Sequence, residues 1–392
     1  MSLHAYTRSP EFTASAPEYR TALSKRLRKL DETGAPVVLS LKHLSLLSGV
    51  GFSSLQRIVS RKREHTYRTF AIRKRSGGKR WISVPCASLL RVQRWVQDCV
   101  LSSKAAQQLV SAQSKAFSPG DNIVANAAGH CSASMIVKVD IENFFTSINE
   151  VSVYKVFRRL GYPALVSFEL ARICTRVVSD KRLGPPPPYA RKHWKSQSKY
   201  AFYSFRFLGH LPQGAPTSPM LANLVCRSLD EQLEALAKKF DAHFTRYADD
   251  LTFSLDTKNR EIGKELVQKI GAVLRDHGLA PRAAKTVISG PGARKIVTGL
   301  VVNGLKPSLP KEIKARIEVP LYFIEKYGLI NHCERSGFCS PISYLNHIFG
   351  LVRYASMVDP VKGASWLAKI RKAVEKDILL LEPLRPLLSK FR

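Results

Sequence analysis

The chain has 392 residues, 45% of them hydrophobic, with 62 Lys and Arg against 30 Asp and Glu, a formal charge of +32. That length predicts two to three packed subdomains. The sequence has no apolar run long enough for a membrane span, and its opening, MSLHAYTRSPEF, lacks the basic-then-apolar order of a signal peptide. Residues 18–64 read as helices: LSLKHLSLLSGV has helical apolar spacing, GFSSLQRIV resumes it after a Gly break, and the charge run RKREH follows. In YRTFAIRKRSGGKRWISVP, two β-rich arms flank Ser-Gly-Gly, a hairpin signature. A long helix is predicted from about Ala87 to Leu109. MIVKVDI (135–141) is a short apolar strand with one Asp near its end, and FTRYADDLTFSL (244–255) alternates like one strand with two acids at its centre. Residues 182–205, with four consecutive prolines and no periodicity, read as a loop or insertion. KIVTGLVVNGLKPSLP (295–310) reads as a strand pair around Asn-Gly, and residues 311–392 as predominantly helical. Seven cysteines without CxxC spacing, Cys333 and Cys339 the closest pair, read as reduced thiols of a cytoplasmic protein rather than a zinc site.

The excess charge is grouped. Residues 1–80 hold 17 Lys/Arg against 5 acids, 172–206 hold 9 against 1, and 306–392 hold 15 against 8, so the basic blocks surround the stretch carrying the informative acids. Such an excess is tolerable mainly when a polyanion neutralises it, and no basic amphipathic membrane helix is evident; the balance favours nucleic acid.

Those acids stand out on charge cost alone. Burying an unpaired carboxylate costs on the order of several kcal/mol, and adjacent ones cost more. Tyr247-Ala248-Asp249-Asp250 has apolar stretches on both sides, which argues against the plain alternative of a solvated turn. Asp140, 109 residues upstream of Asp249 on another apolar strand, supplies a third carboxylate. Hard divalent metals bind carboxylate oxygens and substrate phosphates. Two ions about 3.5–4 Å apart would clamp the attacking and leaving oxygens of an in-line phosphoryl transfer.

Four motifs in order then carry a resemblance. FTRYADDLTFS resembles the YxDD motif of reverse transcriptases, VKVDIENFFTSI their first acidic motif, LPQGAPTSPMLANL (211–224) the motif under the templating base pair, and GLAPRAAKT (278–286) the lysine motif. The resemblance runs from roughly residue 66 to 355. It implies an α+β right-hand polymerase with fingers, a ferredoxin-like antiparallel-sheet palm and a helical thumb. The parts would be a helical extension (1–65), fingers (66–134), a palm with a fingers segment and the basic insertion 180–206 (135–305), and a thumb or RNA-binding region (306–392). By the same resemblance Asp140, Asp249 and Asp250, with the Ile141 carbonyl, would hold two Mg²⁺ ions, Mn²⁺ being a substitute. Lys285 would assist the pyrophosphate leaving group. Lys79 and Arg80, among neighbours Arg73, Lys74 and Arg75, resemble the triphosphate grip, and Gln213 and Gly214 would approach the nascent base pair. Phe145 stands at the steric gate that selects dNTPs; core packing beside Phe144 is the alternative.

Two shorter strings narrow the family. NAAGH (126–130) and VTG (297–299) resemble the two characteristic motifs of retron reverse transcriptases, although Asn126 and His130 by themselves also read as a loop cap and a core histidine. This resemblance implies RNA binding by Asn126, His130, Val297, Thr298 and Gly299, and by Lys369, Arg371 and Lys372 on the basic helix WLAKIRKAVEKD. The partner would be a structured non-coding RNA, primed at the 2′-OH of an internal guanosine to give branched multicopy single-stranded DNA. An effector protein and a role in antiphage defence complete the expectation. The rivals are another compact prokaryotic reverse transcriptase, of group II intron, diversity-generating or abortive-infection type, and an idle RNA-binding scaffold.

Overall fold

The computed structural model describes residues 14, 16–32, 34–61, 66–73, 77–177 and 208–376. Residues 62–65, Lys74, Arg75, the proline-rich segment 182–205 and everything after Lys376 lie outside those described. The fold is α+β, and the described residues divide into two compact units: those within 1–121, 137–253 and 259–288 form one, and those within 122–136, 254–258 and 289–376 the other.

The first unit opens with three helices, α1 (Pro17–Glu32), α2 (Leu41–Ser48) and α3 (Phe52–Ser60). Ser40 caps α2 by accepting from the His43 N–H, and Gly49 ends it at φ +64°, so the predicted Gly break is a left-handed C-cap. The hairpin is β1 (Tyr67–Arg73) and β2 (Lys79–Pro85), antiparallel from Tyr67 opposite Pro85 to Arg73 opposite Lys79. Its base is pinned. Gln93 Nε2 donates to Tyr67 Oη and to the Ile173 carbonyl, both at 2.8 Å, and Arg176 Nη1 donates to Thr69 Oγ1 at 2.9 Å and to Ser83 Oγ.

The expected helix from Ala87 to Leu109 is corrected to three pieces. These are α4 (Ala87–Trp95), a wider π turn over Val96–Leu101, and α5 (Lys104–Gln108), started afresh by Ser103 as N-cap. Two adjacent serines at 102–103, able to bond nearby backbone, interrupt the helix where apolar spacing alone would continue it.

After α6 (Ile123–Ala128) of the second unit come β3 (Met135–Asp140), α7 (Phe144–Ser147), α8 (Glu150–Arg159) and α9 (Ala164–Cys174). Then follow α10 (Ser218–Val225), α11 (Arg227–Lys239), β4 (Ala242–Tyr247), β5 (Asp250–Leu255), α12 (Arg260–Asp276) and β6 (Val287–Ser289). The strands form a sheet in the order β4-β5-β3-β6. Here the single strand predicted over 244–255 is corrected: it is two strands joined by Ala248 and Asp249, a link so short that only a hairpin fits. Ala248 reverses the chain at φ +57°, and Phe244 and Phe253 stack across the pair with ring centroids 4.6 Å apart.

Glu150, at the start of α8, is wholly buried and tied to Arg61 and Arg172, while its Oε2 accepts from the Gly209 N–H at 2.9 Å. Removing one partner of such a group strands the others. Glu150→Ala is expected to cost about 3–5 kcal/mol, read as a lowered denaturant midpoint; a midpoint shared with the native protein would show that the two arginines find other partners.

The second unit packs α6, β7 (Ile296–Val297), β8 (Leu300–Val301), α13 (Lys311–Tyr327), α14 (Leu329–Arg335), α15 (Pro341–Ser356) and α16 (Pro360–Lys376) around one apolar core. The strand pair is present, but its turn is Thr298–Gly299, at φ +46° and +84°, not the predicted Asn303–Gly304. Asn303 instead accepts from the Lys295 N–H and donates to the Ala293 carbonyl, fixing the loop that leads to the Val301–Ser308 bridge. All seven cysteines are free, and no helix among the described residues is long and apolar enough to cross a membrane.

Candidate active site

Backbone pairing brings the acids together. The Ile141 N–H donates to the Asp249 carbonyl at 2.8 Å, which sets the tip of the β4–β5 hairpin against the end of β3. On the other side, the Arg282 N–H donates to the Asp140 carbonyl and the Glu142 N–H to the Ala280 carbonyl, both at 2.8 Å, so the lysine-motif segment runs beside the same residues. Asp140 is 4% exposed and faces two cations. Lys285 Nζ donates to its Oδ2 at 2.8 Å, and Arg282 Nη1 lies 3.2 Å from Oδ1, which accepts no hydrogen bond. Arg282 was missed by sequence reasoning, although GLAPRAAKT contains it three residues before Lys285.

Asp249 and Asp250 are half-buried. Burial, then the charge of Asp250 and Asp140, holds the Asp249 carboxyl above its ordinary value; burial and Asp140 raise Asp250 against an opposing pull from Lys138. No three acid, histidine or cysteine side chains among the described residues are gathered as a formed metal site, and Asp140 is held by its two cations instead. The donor chemistry nevertheless suits a hard divalent ion: every donor is oxygen, burial and neighbouring carboxylates raise the Asp249 and Asp250 carboxyls, and the buried Asp140 Oδ1 accepts no hydrogen bond.

A carboxyl whose folded pKa is raised contributes stability below its unfolded value and loses it as pH climbs through the folded one. At neutral pH the ionised pair therefore burdens the metal-free protein. Asp250→Asn is expected to raise its unfolding midpoint at pH 7 by the equivalent of about 1 kcal/mol, with the gain vanishing towards pH 3.5; an unchanged or lower midpoint at pH 7 would contradict the electrostatics.

Phe144 is core and Phe145 half-buried beside it, ring centroids 5.4 Å apart. The Gln213 carbonyl accepts from the Ser83 N–H at 2.7 Å, and Gly214 lies flush against Ile82 and Ser83 of β2. Lys79 and Arg80 are exposed near the hairpin tip. In the second unit the two short motifs meet: Thr298 Oγ1 donates to the Ile123 carbonyl at 3.0 Å and lies 3.5 Å from Asn126 Nδ2, and Gly299 completes the turn. Asn126, His130 and Val297 are buried, with His130 Nδ1 2.9 Å from Ser254 Oγ. Lys369, Arg371 and Lys372 are exposed on α16, and Lys369 Nζ is 3.9 Å from Glu325.

A buried arginine, Arg246, also escaped sequence reasoning. Its signal was the one that exposed the acids, a charge inside an apolar strand.

Residues 72–303 match the family model described as reverse transcriptase (RNA-dependent DNA polymerase). The chain is 28% identical over 353 residues to the retron Ec86 reverse transcriptase of Escherichia coli, covering 90% of this chain and 93% of that protein. With the Mx65 enzyme of Myxococcus xanthus it shares 30% identity over 355 residues, 88% of this chain and 74% of that one. With the Mx162 enzyme of the same organism the figures are 31% over 313 residues, 78% and 60%.

Proposed function

The chain belongs to the retron-type reverse transcriptases, RNA-directed DNA polymerases, and from that premise we propose that it copies a structured non-coding RNA into branched single-stranded DNA, starting from the 2′-OH of an internal guanosine. The observation that carries the chemistry is the convergence of Asp140, Asp249 and Asp250 on adjacent strand ends with Lys285 beside them. In this reading the three carboxylates and the Ile141 carbonyl hold Mg²⁺, or Mn²⁺ in its place. Bound there, the ions supply Lewis-acid activation of the attacking hydroxyl and neutralise charge on the phosphates. Lys285, now on Asp140, turns to the departing pyrophosphate, and Arg282 shares that exchange of partners.

Phe145, the accessible one of the two aromatics, stands against the sugar and selects dNTPs. Lys79 and Arg80 grip the triphosphate, and Gln213 with Gly214 faces the nascent pair. The β1–β2 hairpin serves as fingers, the sheet as palm and α13–α16 as thumb. Buried Asn126, His130 and Val297 shape the second unit around the Thr298–Gly299 turn, and exposed Lys369, Arg371 and Lys372 meet RNA phosphates, since A-form RNA is read mostly through backbone and shape. A separate effector protein acting in antiphage defence completes the reading.

The test is synthesis on the cognate RNA with dNTPs and Mg²⁺ but no added primer. A product shortened by debranching enzyme is expected. A linear product extended only from a 3′-OH would overturn the priming reading and leave the polymerase standing.

A further inference from the structure

Arg246 lies in β4, two residues before the Ala248 turn, with its side chain and that of Asp230 wholly buried. Its Nε and Nη2 donate to the two oxygens of Asp230 at 2.6 and 2.7 Å, a fork-on-fork pair. Nη1 reaches two further acceptors, Asn223 Oδ1 at 3.1 Å and the Ala248 carbonyl at 3.2 Å. Asn223 belongs to α10, on the LPQGAPTSPMLANL segment, and is itself fixed by donating to the Ala116 carbonyl at 2.6 Å. The Arg246 backbone is held as well, its N–H by the Gln113 carbonyl and its carbonyl by the Lys115 N–H, each at 2.8 Å.

A buried ion pair is a poor device for stability, because well-packed apolar side chains of similar volume usually serve as well. What such side chains cannot do is hold a carbonyl. Ala248 is in a left-handed conformation that Ala adopts only under constraint, and the next residue is Asp249. We propose that Arg246 is a positioning residue for the metal-binding turn. Clamped by Asp230, it fixes the Ala248 carbonyl so that Asp249 is presented to a divalent cation, and through Asn223 it couples that turn to the segment carrying Gln213 and Gly214. The inference rests on the reading of Asp249 as a metal ligand.

Three variants test it: the apolar pair Arg246→Met with Asp230→Leu, the single Arg246→Lys, and Asp249→Ala as reference. Each is measured for unfolding midpoint, for Mn²⁺ binding by the electron paramagnetic resonance signal of the free ion, and for the Mg²⁺ concentration giving half-maximal primer extension. The apolar pair is expected to keep its midpoint within a few degrees yet bind Mn²⁺ about 10–100-fold more weakly, as loss of a residue supporting a metal ligand does. Its half-maximal Mg²⁺ should rise in step, with partial rescue at high Mg²⁺, and Arg246→Lys should move the same way. If either arginine variant folds and keeps native Mn²⁺ affinity while Asp249→Ala loses it, the inference fails alone. If both arginine variants unfold, the pair is a folding element and the inference fails likewise. If Asp249→Ala binds Mn²⁺ as the native protein does, the metal reading itself falls.

Discussion

Replacing Asp249 and Asp250 together by Ala is expected to lower DNA synthesis by at least about 10³-fold while leaving RNA affinity within about twofold and its salt dependence unchanged. The two quantities depend on different atoms. Phosphoryl transfer needs charge stabilisation at the reacting oxygens, and the tip of the β4–β5 hairpin is where the half-buried acids stand. RNA affinity comes from Lys and Arg displacing counterions, and the double variant leaves all 62 of them in place. The variant should also fold at least as well as the parent, because both carboxyls are raised by burial in the metal-free protein. Primer extension, filter binding at two salt concentrations and a thermal melt read the three effects separately. DNA synthesis by the double variant would remove these acids from the chemistry.

Those acids were legible in the sequence because a carboxylate among apolar residues needs an explanation wherever it falls. The β1–β2 hairpin was legible for a similar reason: Gly77 and Gly78, at φ +84° and +77°, supply what a tight reversal demands. Turns without such chemistry were not. Ala248 carries no sign of a positive φ, so alternation read straight across it and made one strand of two. Thr298 misled in the same way, and Asn303–Gly304, the stronger turn signal, proved to be a loop whose Asn side chain is engaged with Lys295 and Ala293. Contacts distant in sequence were least visible. Nothing local links Asn126 to Thr298, or Asn223 to Arg246, because each pairing exists only after the intervening chain has packed.

Gly214→Ala is expected to cost about 2–4 kcal/mol of stability and to lower kcat/KM for dNTP by on the order of 100-fold. Two penalties coincide at this position. The backbone is at φ +116°, which side-chain-bearing residues rarely adopt, and an added Cβ would lie 2.9 Å from Ile82 Cγ2 and 3.0 Å from the Ser83 carbonyl oxygen. Ile82 can rotate, but Ser83 is tied: its N–H bonds the Gln213 carbonyl and its hydroxyl accepts from Arg176. The strain must therefore move the 213–214 segment away from β2, and with it the groups read as facing the nascent pair. Gly120→Ala separates the two penalties, since Gly120 has φ +86° but open space around its Cβ position. That variant should lose only the torsional share, about 1 kcal/mol, and keep native kinetics. If Gly214→Ala showed the same small loss and a native kcat/KM, contact with β2 would not be what positions this segment.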